Sequence, residues 1–226
     1  MYLPSVILPG YLAGASDYFD LAARLTAQNM PTEVVPLQWW EWLPTVGGRS
    51  MAPILARLDA TVKDVLQRYD VPQVNIIAHS AGGWVARIYL GGIPYYDRTW
   101  HAEPMVASLI TLGTPHRSLE PWTRRNLGFV NDNYPGAFYT SVKYVCVAGK
   151  AVYGEKKLSR WLAYSSYELT CGVGNTWGDG ITPIEAAHLD GAENLVVEGA
   201  NHSPRSGIWY GSASVSDVWS VYITKK

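Results

Sequence analysis

The stretch from Val74 to Trp84 constrains the fold more tightly than any other. An apolar run, Val74 to Ala78, leads into His79 and Ser80, and a helical pattern runs from Gly82 to Leu90. Two positions either side of Ser80 stand Ala78 and Gly82, residues with almost no side chain. This is the sequence form of a strand turning sharply into a helix. Strand and helix pass so close in such a turn that a larger side chain at 78 or 82 would collide. The serine is lifted to the apex, with its hydroxyl pushed out at the carboxyl edge of a sheet. The turn also aims the backbone N–H of Ala81 at the place where an oxyanion would form. The residue at the apex is therefore placed as a nucleophile.

Around this turn, short Val- and Ile-rich runs alternate with helical patterns, which predicts a mostly parallel sheet wrapped by helices on both faces. Strands are expected at Ser5–Leu8, Glu33–Leu37, Val74–Ala78, Val106–Leu112, Val142–Ala148 and Asn194–Val197. Helices are expected at Asp17–Gln28, with Ser16 as its cap, at Ser50–Tyr69, and more weakly at Ser214–Tyr222. Two stretches break the alternation. Residues 115–140 show no clear period, and residues 150–178 hold one helix-like piece, Leu158 to Ser165, before a Gly-rich loop. Connections this long within a compact domain are usually functional. Both follow strands on the side where Ser80 emerges, so both are read as lid segments of a single domain spanning 1–226.

A chain of 226 residues is long enough to bury a full α/β core. Its formal net charge of −1 offers no electrostatic reason to expect nucleic acid. Cys146 and Cys171 can form no disulfide framework and lack metal-ligand spacing, so neither metal nor cofactor is expected. The first residues carry no basic segment, and Pro4, Pro9 and Gly10 interrupt their apolar run, unlike a secretory signal. With no apolar stretch of ~20 residues, a cytoplasmic or organelle-interior location is expected. Tryptophan is over-used: there are ten, with Trp39, Trp40 and Trp42 almost adjacent. Core packing accounts for most of them. The remainder hint at an aromatic cleft for long acyl chains, or at contact with a membrane edge.

A serine hydroxyl needs a base to take its proton and a carboxylate to orient that base. When the serine sits on a strand–turn–helix, the partners follow in the order acid, then histidine. Of five histidines, His79 adjoins Ser80, but the turn should direct the two side chains apart. His101 lies in a polar loop, His116 comes too early in the chain, and His188 precedes the last strand. His202 follows that strand, on a loop that can swing an imidazole over the sheet edge. Asp179, between Gly178 and Gly180, is the expected acid, with Asp190 and then Glu185 as alternatives. A second oxyanion donor should come from the loop after the first strand, where Gly10 permits close backbone approach and Tyr11 supplies an N–H.

Leu8-Pro9-Gly10-Tyr11, Ala78-His79-Ser80-Ala81-Gly82-Gly83, Leu112-Gly113-Thr114-Pro115-His116, Gly178-Asp179-Gly180-Ile181-Thr182-Pro183 and His202-Ser203-Pro204 occur in this order. In these motifs the chain resembles a lipase-type α/β-hydrolase over nearly its full length. Within that superfamily it is most similar to the GPI inositol-deacylase-like lipases of cyanobacteria and plant plastids. The resemblance implies a catalytic triad of Ser80, Asp179 and His202, with oxyanion-hole N–H groups from Tyr11 and Ala81. It also implies a serine esterase or lipase acting on an acyl-ester or lipid substrate. Ala78 departs from the usual glycine of the serine motif. The chain also begins at the strand that is third in the full fold, so about six strands are expected in place of about eight. A thioesterase or acyltransferase could use the same residues. A non-catalytic lipid-binding protein on this frame has no need of all three.

Overall fold

A computed structural model describes residues 1–226, the side chain of Trp122 excepted. The strands are β1 (Ser5–Leu8), β2 (Thr32–Val34), β3 (Val74–His79), β4 (Val106–Leu112), β5 (Lys143–Lys150), β6 (Val152–Tyr153), β7 (Trp177–Gly178) and β8 (Glu193–Glu198). The helices are α1 (Phe19–Ala27), α2 (Ala52–Tyr69), α3 (Ala81–Leu90), α4 (Pro121–Asn133), α5 (Trp161–Cys171), α6 (Ile184–Ala187) and α7 (Ala213–Trp219). Six strands form one sheet in the order β2-β1-β3-β4-β5-β8, and every pairing in it is parallel. The β6 and β7 strands form a separate two-stranded antiparallel ribbon.

The apolar runs read as strands because both sheet faces are covered, so successive side chains enter different cores. In β3, Val74, Ile76 and Ala78 pack with Leu55, Leu58 and Val62 of α2 and with Val85 of α3. Ile77 points the other way, with Leu21 and Leu25 of α1 and with Val215 and Trp219 of α7. The central strands β1, β3 and β4 are buried at every position. The outer strand β8 is mostly exposed, as befits a strand paired on one side only.

Several boundaries differ from expectation, each for a local reason. The second strand is shorter and earlier than 33–37, because Leu37 N–H turns back to the carbonyl of Val35. The expected helix at 17–28 begins as a 3₁₀ turn at Ala15–Tyr18. The carboxylate of Asp17 accepts the N–H of Gly14 there, so Asp17 and not Ser16 serves that helix start. Residues 115–140 contain α4, which opens on Pro121. Its buried apolar side chains are few, Leu127 and Val130 among them, so no helical period stood out. The predicted helical piece at 158–165 is displaced to α5, which ends where Gly172 adopts φ +81°. Among the described residues, no helix is long and apolar enough to cross a membrane.

Candidate active site

The turn after β3 is strained. Ser80 has φ 51° and ψ −129°, a conformation that costs a side-chain-bearing residue ~1–3 kcal/mol. The surroundings over-determine it. Ser80 N–H donates to the carbonyl of Leu112 at 2.9 Å, and the hydroxyl of Thr114 donates to the Ser80 carbonyl at 2.7 Å. A Cβ on Gly82 would lie 2.9 Å from the Pro9 carbonyl oxygen and 3.0 Å from that of Leu8. The helix thus crosses the first strand's end at backbone distance, and position 82 requires glycine. Ala78 is different: it lies within β3 with no positive φ, and its methyl is buried in the core.

His202 stands on the loop after β8. Its Nε2 is 2.9 Å from Ser80 Oγ, and its Nδ1 is 2.7 Å from Asp179 Oδ2. The structure therefore brings the three residues together in one hydrogen-bonded line. The carboxylate side chain is fully buried, and four donors surround it. Oδ1 accepts the N–H groups of Ile181 and Thr182 at 2.9 and 2.7 Å. Oδ2 accepts the Tyr210 hydroxyl at 2.7 Å besides the imidazole. Burial alone would push this carboxyl up. The adjacent His202, the Thr182 N–H and the Tyr210 hydroxyl outweigh burial and hold it below the usual carboxylate range. Backbone ties the two residues as well, since His202 N–H donates to the Asp179 carbonyl at 2.9 Å.

A cavity of about 150 Å³ opens over Ser80, lined by residues 10–13, Asp17, His79, Ser80 and residues 202–205. Tyr11 is on its wall. Ala81 occupies the first turn of α3, where a helical N–H has no intrahelical acceptor. Among the described residues, neither the Tyr11 nor the Ala81 N–H is bonded to another protein group. Trp42 braces the loop from below, its ring edge-on to Tyr11 with centroids 5.4 Å apart and its Nε1–H donated to the Ala13 carbonyl. Residues 115–140 and 150–178 contribute no described residue to this cavity.

A family model, PGAP1-like alpha/beta domain, matches residues 38–146, just under half of the chain, in line with the resemblance read from the sequence. Among solved structures, the lipase BlEst2 of Bacillus licheniformis in mature form is similar at TM-score 0.69 and 19% identity, over 99% of this chain and 92% of that one. The chain has the α/β-hydrolase fold. The lin2722 gene product of Listeria innocua matches at TM-score 0.55 and 14% identity, over 100% of this chain and 96% of its own. Phospholipase PlaB of Legionella pneumophila, in complex with thio-NAD, matches at TM-score 0.60 and 14% identity, over 92% of this chain and 53% of that one. Comparison with curated proteins by sequence finds no match.

The other histidine and acid candidates read from the sequence lie apart from the Ser80–His202 pair, except one. Glu185 pairs with Arg117 on the surface at 3.2 Å. Asp190 and His188 border a separate cavity with His116. His116 is buried against Thr111 and Cys146, and burial, then the Arg87 charge, holds its imidazole well below the usual range. His101 is exposed in its loop, with φ 49°. His79 is the exception. The turn was expected to send its side chain away from the serine, yet its ring lies 4.9 Å from that of His202. Its Nε2 is 2.9 Å from the His202 carbonyl oxygen.

Tyr210 was also missed, because nothing local marks a tyrosine in a loop near the end of the chain. The tryptophan cluster divides between the two readings: Trp42 is buried, whereas Trp39 and Trp40 are each about half exposed. Among the described residues, no group of three or more His, Cys, Asp or Glu side chains is spaced to hold a metal ion.

Proposed function

We propose that the protein is a serine carboxylester hydrolase that cleaves acyl esters through an acyl-enzyme on Ser80. The observation that carries the reading is the continuous line from Asp179 Oδ2 through both His202 nitrogens to Ser80 Oγ. Ser80 Oγ forms a bond to the acyl carbonyl carbon while its proton passes to His202 Nε2. The carbonyl electrons move to oxygen, and the N–H groups of Tyr11 and Ala81 stabilise that oxyanion, each worth ~3–4 kcal/mol of barrier. His202 then gives its proton to the departing alkoxide, and the alcohol leaves. Water, deprotonated by the same nitrogen, attacks the acyl carbon. Collapse of the second tetrahedral species returns the proton to Ser80 and releases the acid. Asp179 keeps the Nδ1 proton in place and stabilises the imidazolium formed at each stage.

The lipase and the phospholipase among the structural neighbours support acyl lipids as the substrate class. So does the exposed pair Trp39 and Trp40, which belongs to the segment whose Trp42 braces the cavity's Tyr11 loop. The test is labelling with a fluorophosphonate, followed by turnover of p-nitrophenyl esters of graded chain length. One label per chain, located on Ser80 and abolished in Ser80→Ala and in denatured protein, is the expected result. Folded wild-type protein that takes no label and turns over no ester overturns the reading.

A further inference from the structure

We propose that Tyr18 and His79 are positioning residues, forming a buried relay that fixes the Gly10–Tyr11 loop and the backbone of His202 relative to each other. The inference rests on the ester-hydrolase reading and adds to it what holds the two halves of the site in register.

The relay has one sense of direction, and each proton in it can be assigned. Gly10 N–H has a single proton and donates it to the Tyr18 hydroxyl oxygen at 2.9 Å. The hydroxyl oxygen lies 2.7 Å from His79 Nδ1, and its own proton has that nitrogen as its partner. Nδ1 therefore accepts, and a neutral imidazole then carries its proton on Nε2. That nitrogen faces the His202 carbonyl oxygen at 2.9 Å, a group that can only accept. Burial, and then the nearby His202, hold the His79 imidazole down to about 3, so the ring stays neutral across the working range.

The two ends of the relay are the positions an acyl-transfer site must hold still. Gly10 immediately precedes Tyr11, the proposed oxyanion donor. A Cβ on Gly10 would lie 2.8 Å from His79 Nδ1 and 3.0 Å from Ser80 Cβ, so the loop rests directly on the serine turn. At the other end, the His202 peptide is gripped on both sides: its N–H by the Asp179 carbonyl and its C=O by His79. Trp209 stands edge-on to both Tyr18 and His79, with ring centroids 5.8 and 5.9 Å away, and walls the relay from water. A displacement of about 1 Å in such a site costs ~10²-fold in rate. Neither residue is hydrogen-bonded to Ser80 Oγ or to the His202 ring, and their bonds run to the Gly10 N–H and the His202 carbonyl.

The test compares wild type with Tyr18→Phe, His79→Leu, His79→Gln and the Tyr18→Phe/His79→Leu double variant, each first checked for a cooperative melt. Tyr18→Phe is expected to lower kcat on a p-nitrophenyl ester ~10–100-fold while KM moves less than ~3-fold. Affinity for an alkylboronic acid, which forms a tetrahedral adduct on Ser80, should fall by a similar factor. His79→Leu should lose as much, and His79→Gln should recover part, because its amide N–H reaches toward the His202 carbonyl. The double variant should be no worse than the poorer single one, since the relay acts as a unit.

Well-folded Tyr18→Phe with unchanged kcat and boronate affinity overturns the proposal, as does full additivity in the double variant. If Tyr18→Phe does not fold, the His79→Leu against His79→Gln comparison decides: equal kcat in the two refutes the relay. Failure of wild type to label with fluorophosphonate refutes the ester-hydrolase reading itself. A labelled wild type with insensitive Tyr18 and His79 variants refutes only the positioning role.

Discussion

Replacing Tyr210 by Phe isolates the support beneath the acid. The hydroxyl does two things at once: it donates to Asp179 Oδ2 at 2.7 Å and accepts the N–H of Gly149 at 2.8 Å. Phenylalanine keeps the ring packing and removes both. A hydrogen bond to a charged group is worth ~1.5–3 kcal/mol, and a buried N–H left without an acceptor costs ~1–3 kcal/mol. The variant should therefore be less stable by ~2.5–6 kcal/mol at pH 7. At ~2–4 °C per kcal/mol for a chain of this size, its melting temperature should fall by roughly 5–24 °C.

The pH dependence separates the two contributions. Asp179 is held below its ordinary value in the folded state. It therefore contributes stability that is present above the unfolded carboxylate value of ~3.9 and lost as pH falls through the lower folded value. Tyr210 is one of the donors behind that depression. The stability gap between wild type and Tyr210→Phe should be widest at neutral pH and narrow below about pH 4 toward the Gly149 share alone. Urea titrations at several pH values measure it. A gap under ~0.5 kcal/mol at pH 7, or one that widens on acidification, refutes the reasoning.

Asp179→Asn should retain the fold and substrate KM but lower kcat by ~10⁴-fold, because the imidazole takes the wrong tautomer; steady-state kinetics on an activated ester reads this directly. Ser80→Gly should be more stable than Ser80→Ala by ~1 kcal/mol, because glycine relieves the positive φ and alanine keeps it; paired urea melts make the comparison. Gly83→Ala should destabilise by ~1–3 kcal/mol and lower activity, since the new methyl would fall 2.7 Å from Thr114 Cβ and displace the hydroxyl that holds the Ser80 carbonyl; thermal melts and ester turnover check both. Burial pushes the Cys146 thiol up to about 11, so a thiol reagent near pH 8 should modify partly exposed Cys171 readily and Cys146 only after denaturant is added; mass spectrometry counts the adducts.

The strands and the serine turn were legible in the sequence because each depends on short-range geometry, and Asp179 and His202 were legible as candidates by their order along the chain. Val74 to Ala78 can alternate between two cores only in a sheet covered on both faces. The Ser80 turn needs a small residue at 82 whatever surrounds it. Asp179 stood out through its glycine neighbours, and His202 through its place after the last strand. The α4 helix escaped because its apolar side chains are too sparse to show a period, and its packing against α3 supplies what its sequence does not.

What tertiary structure alone decided is which distant side chains meet. Asp179, and not Asp190 or Glu185, reaches His202, because the loop after β7 returns to the sheet edge and places its carboxylate among four donors. Tyr18 and His79 are 61 residues apart, and His79 and His202 are 123 apart. No local pattern encodes such a meeting. It follows from parallel strands that all end at one edge of the sheet, so that loops remote in sequence converge there. The serine turn was thus written into a few consecutive residues, whereas the groups that hold Asp179 and His202 beside Ser80 are set by the path of the whole chain.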